Sequence, residues 1–121
     1  MVTDAMTPPP TSLDDAVRRL VDAVFDAHRL DPALHDALDH DFAHDHAANP
    51  HPITTKQAVI EQIEALPPAI RAEIAAGRDA LIASEMLHSL AHAALVHPRK
   101  GDDPHAIQHE AVRATLAYLR S

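Results

Sequence analysis

Ten prolines decide where this chain can be helical and where it cannot. Proline locks φ at about −65° and has no backbone N–H, so it stands in the first turn of a helix or outside one. Pro8, Pro9 and Pro10 end an N-terminal stretch that is expected to fray, Pro50 and Pro52 break the chain at Asn49-Pro50-His51-Pro52, and Pro67-Pro68 and Pro98 stop helices. Pro32 and Pro104 each follow an aspartate, the pairing that opens helices. The lengths left between these breaks suit helices. Strands are disfavoured on other grounds: with 2 Gly, no Trp and 2% aromatic residues, the glycine turns and aromatic strands of a sandwich or barrel are hard to build. The expectation is an all-α single-domain bundle of about six helices over residues 12–121, preceded by a flexible Pro-rich tail over 1–11.

The apolar periodicity places these helices. Ser12 followed by Asp14 and Asp15 reads as an N-cap with acids in the first turn. From there Leu13, Val17, Leu20, Val21, Val24 and Ala27 share one face, with Asp15, Arg18, Arg19, Asp22, Asp26 and Arg29 opposite. A second helix is expected from Asp31-Pro32 with Leu34, Leu38 and Phe42 as its apolar positions, and a third, capped by Thr54 or Thr55, with Val59, Ile63 and Leu66. A short fourth carries Ile70 and Ile74 to a C-terminal glycine, Gly77. The fifth is expected from Asp79 to His97, and the sixth from Asp102 or Asp103 to Leu119.

Net charge excludes several classes of partner. At −8, with a pI of about 5.7 and the ten Lys and Arg residues dispersed among acids, the chain has no basic stripe for DNA, RNA or anionic lipid. The absence of Cys excludes disulfide and thiolate chemistry. The most apolar stretch, Leu81 to Val96, contains Glu85, His88 and His92 and is too polar to span a bilayer, and the N-terminus has no secretory signal, so the expected compartment is the cytoplasm.

The last two helices are apolar over more than one core contact requires. On the fifth, Ile82, Ala83, Met86, Leu87, Leu90, Ala93 and Ala94 form the main arc, with Leu81, Leu95 and Val96 on the other side. On the sixth, Ile107, Ala111, Ala114 and Tyr118 form one stripe and Val112, Leu116 and Leu119 an adjoining one. Much of the apolar content is Ala, which favours helix but buries little area. A second copy packed as a four-helix interface supplies the missing burial.

Three stretches carry a family resemblance: Ala27-His28-Arg29-Leu30-Asp31-Pro32-Ala33-Leu34 with Leu38, the run Glu85 to Pro98, and the ending Glu110-Ala111-Val112-Arg113-Ala114-Thr115-Leu116-Ala117-Tyr118-Leu119-Arg120. In order and spacing they resemble the C-terminal domain of TetR-family transcriptional regulators, over about residues 12–121. The resemblance implies a homodimer paired through the last two helices and a pocket for a small, apolar effector among the others. Leu87, Leu90, Ala94, Val112, Leu116 and Leu119 are the residues expected at the dimer interface. Phe25, His28, Phe42, Glu85 and His88 are those expected at the ligand. The basic helix-turn-helix module with which family members begin has no counterpart here, so operator binding is not carried over.

Eleven histidines invite a second reading, in which the chain is a His-rich protein binding a divalent metal. His40 and His44 stand at i and i+4 in Asp39-His40-Asp41-Phe42-Ala43-His44-Asp45-His46, a spacing that lets two imidazoles share one ion. No HExxH pattern or identified third ligand accompanies them, and an exposed, acidic helix end is the plainer reading. Glu85, His88 and His92 share one helix face, but the single Glu-x-x-His is half of what a di-iron bundle needs. Polar contacts at the pocket or interface fit them better, and His28 reads as a hydrogen-bonded core histidine. Ser12, Ser84, Ser89 and Ser121 lie in no nucleophile context, and Gly77 and Gly101 form no phosphate loop. No catalytic residue, cofactor or enzymatic activity is expected. A module that only dimerises, pairing with a full-length regulator, is the other alternative.

Overall fold

The structure, a computed structural model, describes residues 5–30 and 55–121. These residues form α-helices α1 (Leu13–Leu30), α2 (Thr55–Glu64), α3 (Pro68–Arg71), α4 (Ala80–Ala91) and α5 (Pro104–Arg120), with a π-helical turn over His92–Val96 directly after α4. No strand occurs among the described residues. The helix expected from Asp31-Pro32, with His40, Phe42 and His44, and the Asn49–Pro52 connection lie outside them.

Local chemistry fixes the ends of the long helices. The Ser12 hydroxyl accepts the Asp15 N–H at 3.0 Å and opens α1. Asp79 caps α4 by accepting the Leu81 N–H at 2.8 Å. Asp103 caps α5 by accepting from His105 at 3.0 Å, with Pro104 in the first turn. Two elements end earlier than their periodicity suggests. α2 closes at Glu64, before Leu66, and α3 closes at Arg71, leaving Ile74 in the following turns. The Ala75 N–H donates to the Leu119 carbonyl at 2.7 Å, so a bond to α5 takes the donor that further helix would have used. Gly77 then turns the chain with φ of 84°.

The tail is better held than its prolines suggest. Pro10 is buried, Ala5 and Met6 pack against the core, the Arg19 guanidinium donates to the Pro8 carbonyl, and the Thr11 N–H donates to Asp15 at 3.1 Å.

α1 is the central element, packed against α4, the π turn and α5, while α2 covers α4. Arg120 at the end of α5 pairs with Asp14 at the start of α1 at 3.0 Å, and Gln108 near the start of α5 bonds Asp22 and Arg29 of α1. The two helices therefore run antiparallel. The core lies between them: Leu13, Leu20, Val24 and Phe25 of α1, Val59 and Ile63 of α2, Leu87 and Ala91 of α4, and Ala111 and Leu119 of α5, each 5% exposed or less.

Candidate functional site

The chemistry-bearing side chains gather where the C-terminal end of α1 meets that of α4. His28 is fully buried, and its Nδ1–H donates to the Val24 carbonyl at 2.8 Å, the i−4 contact open to a histidine in a helix interior. A carbonyl oxygen only accepts, so Nδ1 carries a proton. The His88 ring meets the His28 ring edge-on, centroids 5.1 Å apart, and His92 stands 6.1 Å from His28 and 5.8 Å from His88. Phe25, three positions before His28 on α1, is fully buried and has the Arg29 guanidinium 5.9 Å from its ring centre.

The π turn extends this row. In a continuous α-helix residue 97 would be rotated by about 140° from residue 92. Here the His97 N–H donates to the His92 carbonyl at 3.0 Å, an i→i+5 closure, and the widened turn brings position 97 back toward the face of position 92. The two imidazoles are 5.3 Å apart. Sequence reasoning placed His97 at the end of a plain helix and missed it, because α periodicity carries no sign of a π insertion.

Of the residues expected at the ligand, the structure brings His28 and His88 together, with Phe25 buried one turn before His28 on α1. Glu85 is directed elsewhere: its carboxylate pairs with Lys56 of α2 at 2.7 Å, both side chains being about half exposed. Phe42 lies outside the described residues, as do His40 and His44. Among the described residues no three His, Asp or Glu side chains are arranged to hold a metal ion, and no helix is long and apolar enough to cross a membrane.

Of the residues expected at the dimer interface, Leu87, Ala94 and Leu119 are at most 1% exposed and belong to the chain's own core. α4, the π turn and α5 direct these three positions inward, toward α1 and the rest of the core. Leu90, Val112 and Leu116 are half-buried. The outer sides of both helices carry the uncovered apolar surface: Leu81 and Ile82 are 46% and 45% exposed, and Leu90, Ala106, Ile107, Glu110 and Ala114 line a shallow depression of about 350 Å³ between α4 and α5.

Comparison with known families agrees with this architecture. Residues 12–119 match the family described as tetracyclin repressor-like, C-terminal domain. No curated protein and no solved structure matches the chain. The match runs from the cap of α1 to the last turn of α5, and the chain belongs to the family of tetracyclin repressor-like C-terminal domains.

Proposed function

We propose that this chain is the regulatory part of a transcription regulator: a cytoplasmic domain that holds a small, apolar effector between its helices and pairs with a second copy of itself. The uncovered apolar strip on α4 and α5 carries the reading. Leu90 on one helix stands beside Ile107 and Ala114 on the other, Ile82 is exposed nearer the start of α4, and Ala106 and Ala114 let a partner backbone approach closely. Two copies related by a two-fold axis bury this strip as a four-helix interface.

The effector is assigned to the α1–α4 crossing. There Phe25 supplies apolar wall and His28 and His88 a few convergent polar atoms, the composition of small-molecule sites. Glu85, tied to Lys56, belongs to the rim. With its net charge of −8, the chain leaves the DNA phosphates to other parts of the regulator. No catalytic step is assigned to it.

Light scattering coupled to size exclusion tests the pairing. The expected mass is about 26 kDa, twice the 13.1 kDa of one chain, and a mass of one chain at micromolar concentration overturns it. The effector reading is tested by thermal shift, since a ligand that binds only the folded state raises the melting temperature. A compound that stabilises the wild type and not His88→Leu supports the site; stabilisation indifferent to that change removes it.

A further inference from the structure

A second cavity, of about 510 Å³, opens at the other end of α4, bounded by the end of α2, the loop after α3 and the last turn of α5. From Ala80 to His92 is a helical rise of roughly 18 Å, so it is separate from the histidine row. Its volume is that of a small-molecule site. Ile63, Ile74 and Leu119 supply its apolar lining.

The walls are held in place. The Ala75 N–H to Leu119 carbonyl bond pins the loop to α5 at one point, and the Asp79 N–H, donating to the Tyr118 hydroxyl at 3.0 Å, pins it at another. Between these points Arg78 lies over the Tyr118 ring, its guanidinium carbon 5.4 Å from the centroid. Stacking uses the flat face of a guanidinium and leaves its in-plane N–H donors for an acceptor.

The charges here are unevenly committed. Among the described residues Arg19, Arg29, Lys56, Arg99, Arg113 and Arg120 are in ion pairs, whereas Arg18, Arg71, Arg78 and Lys100 are in none. Two of those four, Arg71 and Arg78, line this one cavity. The acids on its walls are Glu64 and Asp79, and Asp79 is engaged in capping α4. The two arginines thus keep their donors outside any ion pair, beside a lining that includes Ile63, Ile74 and Leu119.

We propose that this cavity binds a small amphipathic carboxylate, its hydrocarbon on Ile63, Ile74 and Leu119 and its carboxylate against Arg71 and Arg78. The site is independent of the effector assignment at His28 and His88.

The test is an NMR titration of the full chain, ¹⁵N-labelled, with hexanoate, hexanol and hexylamine. Saturable shifts of the amides around Gly77 are expected with hexanoate, at least tenfold tighter than with either neutral or cationic analogue. Both arginines are exposed, so the double variant Arg71→Gln/Arg78→Gln folds, and it weakens hexanoate at least tenfold. Arg18→Gln/Lys100→Gln, with the same loss of charge, leaves binding unchanged. No saturable shift overturns the proposal, as does equal binding of hexanol or equal weakening in both double variants. Shifts centred on His28 and His88 instead overturn it while supporting the effector site.

Discussion

α1 and the α4–α5 pair use their apolar residues in opposite ways. α1 carries one stripe, and nearly all of it is gone from solvent: Leu13, Ala16, Val17, Leu20, Val21, Val24, Phe25 and His28 are each at most 1% exposed beneath a charged outer face, with Ala27 partly buried and only the terminal Leu30 left open. α4 buries Ala83, Ser84, Leu87 and Ala91 yet leaves Leu81 and Ile82 nearly half exposed, and α5 buries Ala111, Thr115 and Leu119 beside an open Ala114. A helix whose stripe is covered along its length within one chain has all but finished its packing. A pair of helices apolar on two sides has not, and under the proposed pairing the second side is where another copy adds burial.

The largest effect on this contrast should come from truncating α1. Leu20→Ala leaves a cavity among fully buried neighbours and should cost about 3 kcal/mol, within the range for buried leucines. That corresponds to a melting temperature lower by roughly 10 °C for a domain of this size. Calorimetry reads it directly, and a loss below 1 kcal/mol would mean that α1 is not the element that organises the core.

The outer face should respond differently, in association more than in folding. Ala114 is exposed, so Ala114→Arg places a long charged side chain on the proposed interface without touching the core. It should weaken the dimer by about 2–4 kcal/mol, or roughly 30- to 1,000-fold in Kd, with the helical signal of the monomer unchanged. Sedimentation across a concentration series separates the two. Ile107→Glu provides a second reading from the neighbouring position. If both variants remain dimeric, the contrast between finished and unfinished helices fails.

How much of this could be read from the residues depends on whether the cause was local. The start of α1 at Ser12, the caps Asp79 and Asp103, and the buried stripe of α1 were legible because capping and 3.6-residue periodicity act within a few positions. The helical class followed from few glycines and aromatics. The early end of α3 was not legible, since it depends on a bond from Ala75 to Leu119, 44 positions away. Nor was the π turn: His92-Ala93-Ala94-Leu95-Val96 is as good an α sequence as a π one, and the alignment of His97 with His92 came from packing. The same limit explains Leu87, Ala94 and Leu119. Periodicity shows that a helix has two apolar sides and not which of them the rest of the chain occupies.

A smaller effect is expected on the inner side of α5, at a polar atom inside the finished packing. The Thr115 hydroxyl is buried with no hydrogen-bond partner among the described residues. Burying such a group carries a desolvation cost, and a methyl of the same shape does not. Thr115→Val should therefore stabilise the domain by about 1 kcal/mol in denaturant unfolding while leaving the dimer constant untouched. Destabilisation would show that the hydroxyl is satisfied.

The smallest effect concerns the ties that join the two regions at the surface. Asp14 of α1 accepts a hydrogen bond from Arg120 of α5 at 3.0 Å, and this contact, helped by the charges of Arg120 and Arg18, holds the Asp14 carboxyl below its ordinary range and keeps Arg120 charged. A depressed carboxylate stabilises the fold at pH values above its unfolded pKa, and that contribution is lost as pH falls through the lower folded value. The difference in melting temperature between wild type and Asp14→Asn should therefore be constant from pH 7 down to about 5, shrink below about pH 4 and vanish at lower pH. The pair is exposed, so the difference should be slight and should shrink further in molar salt. A difference that grew on acidification would have the wrong sign for this pair and would mean that α1 and α5 are tied by their buried faces alone.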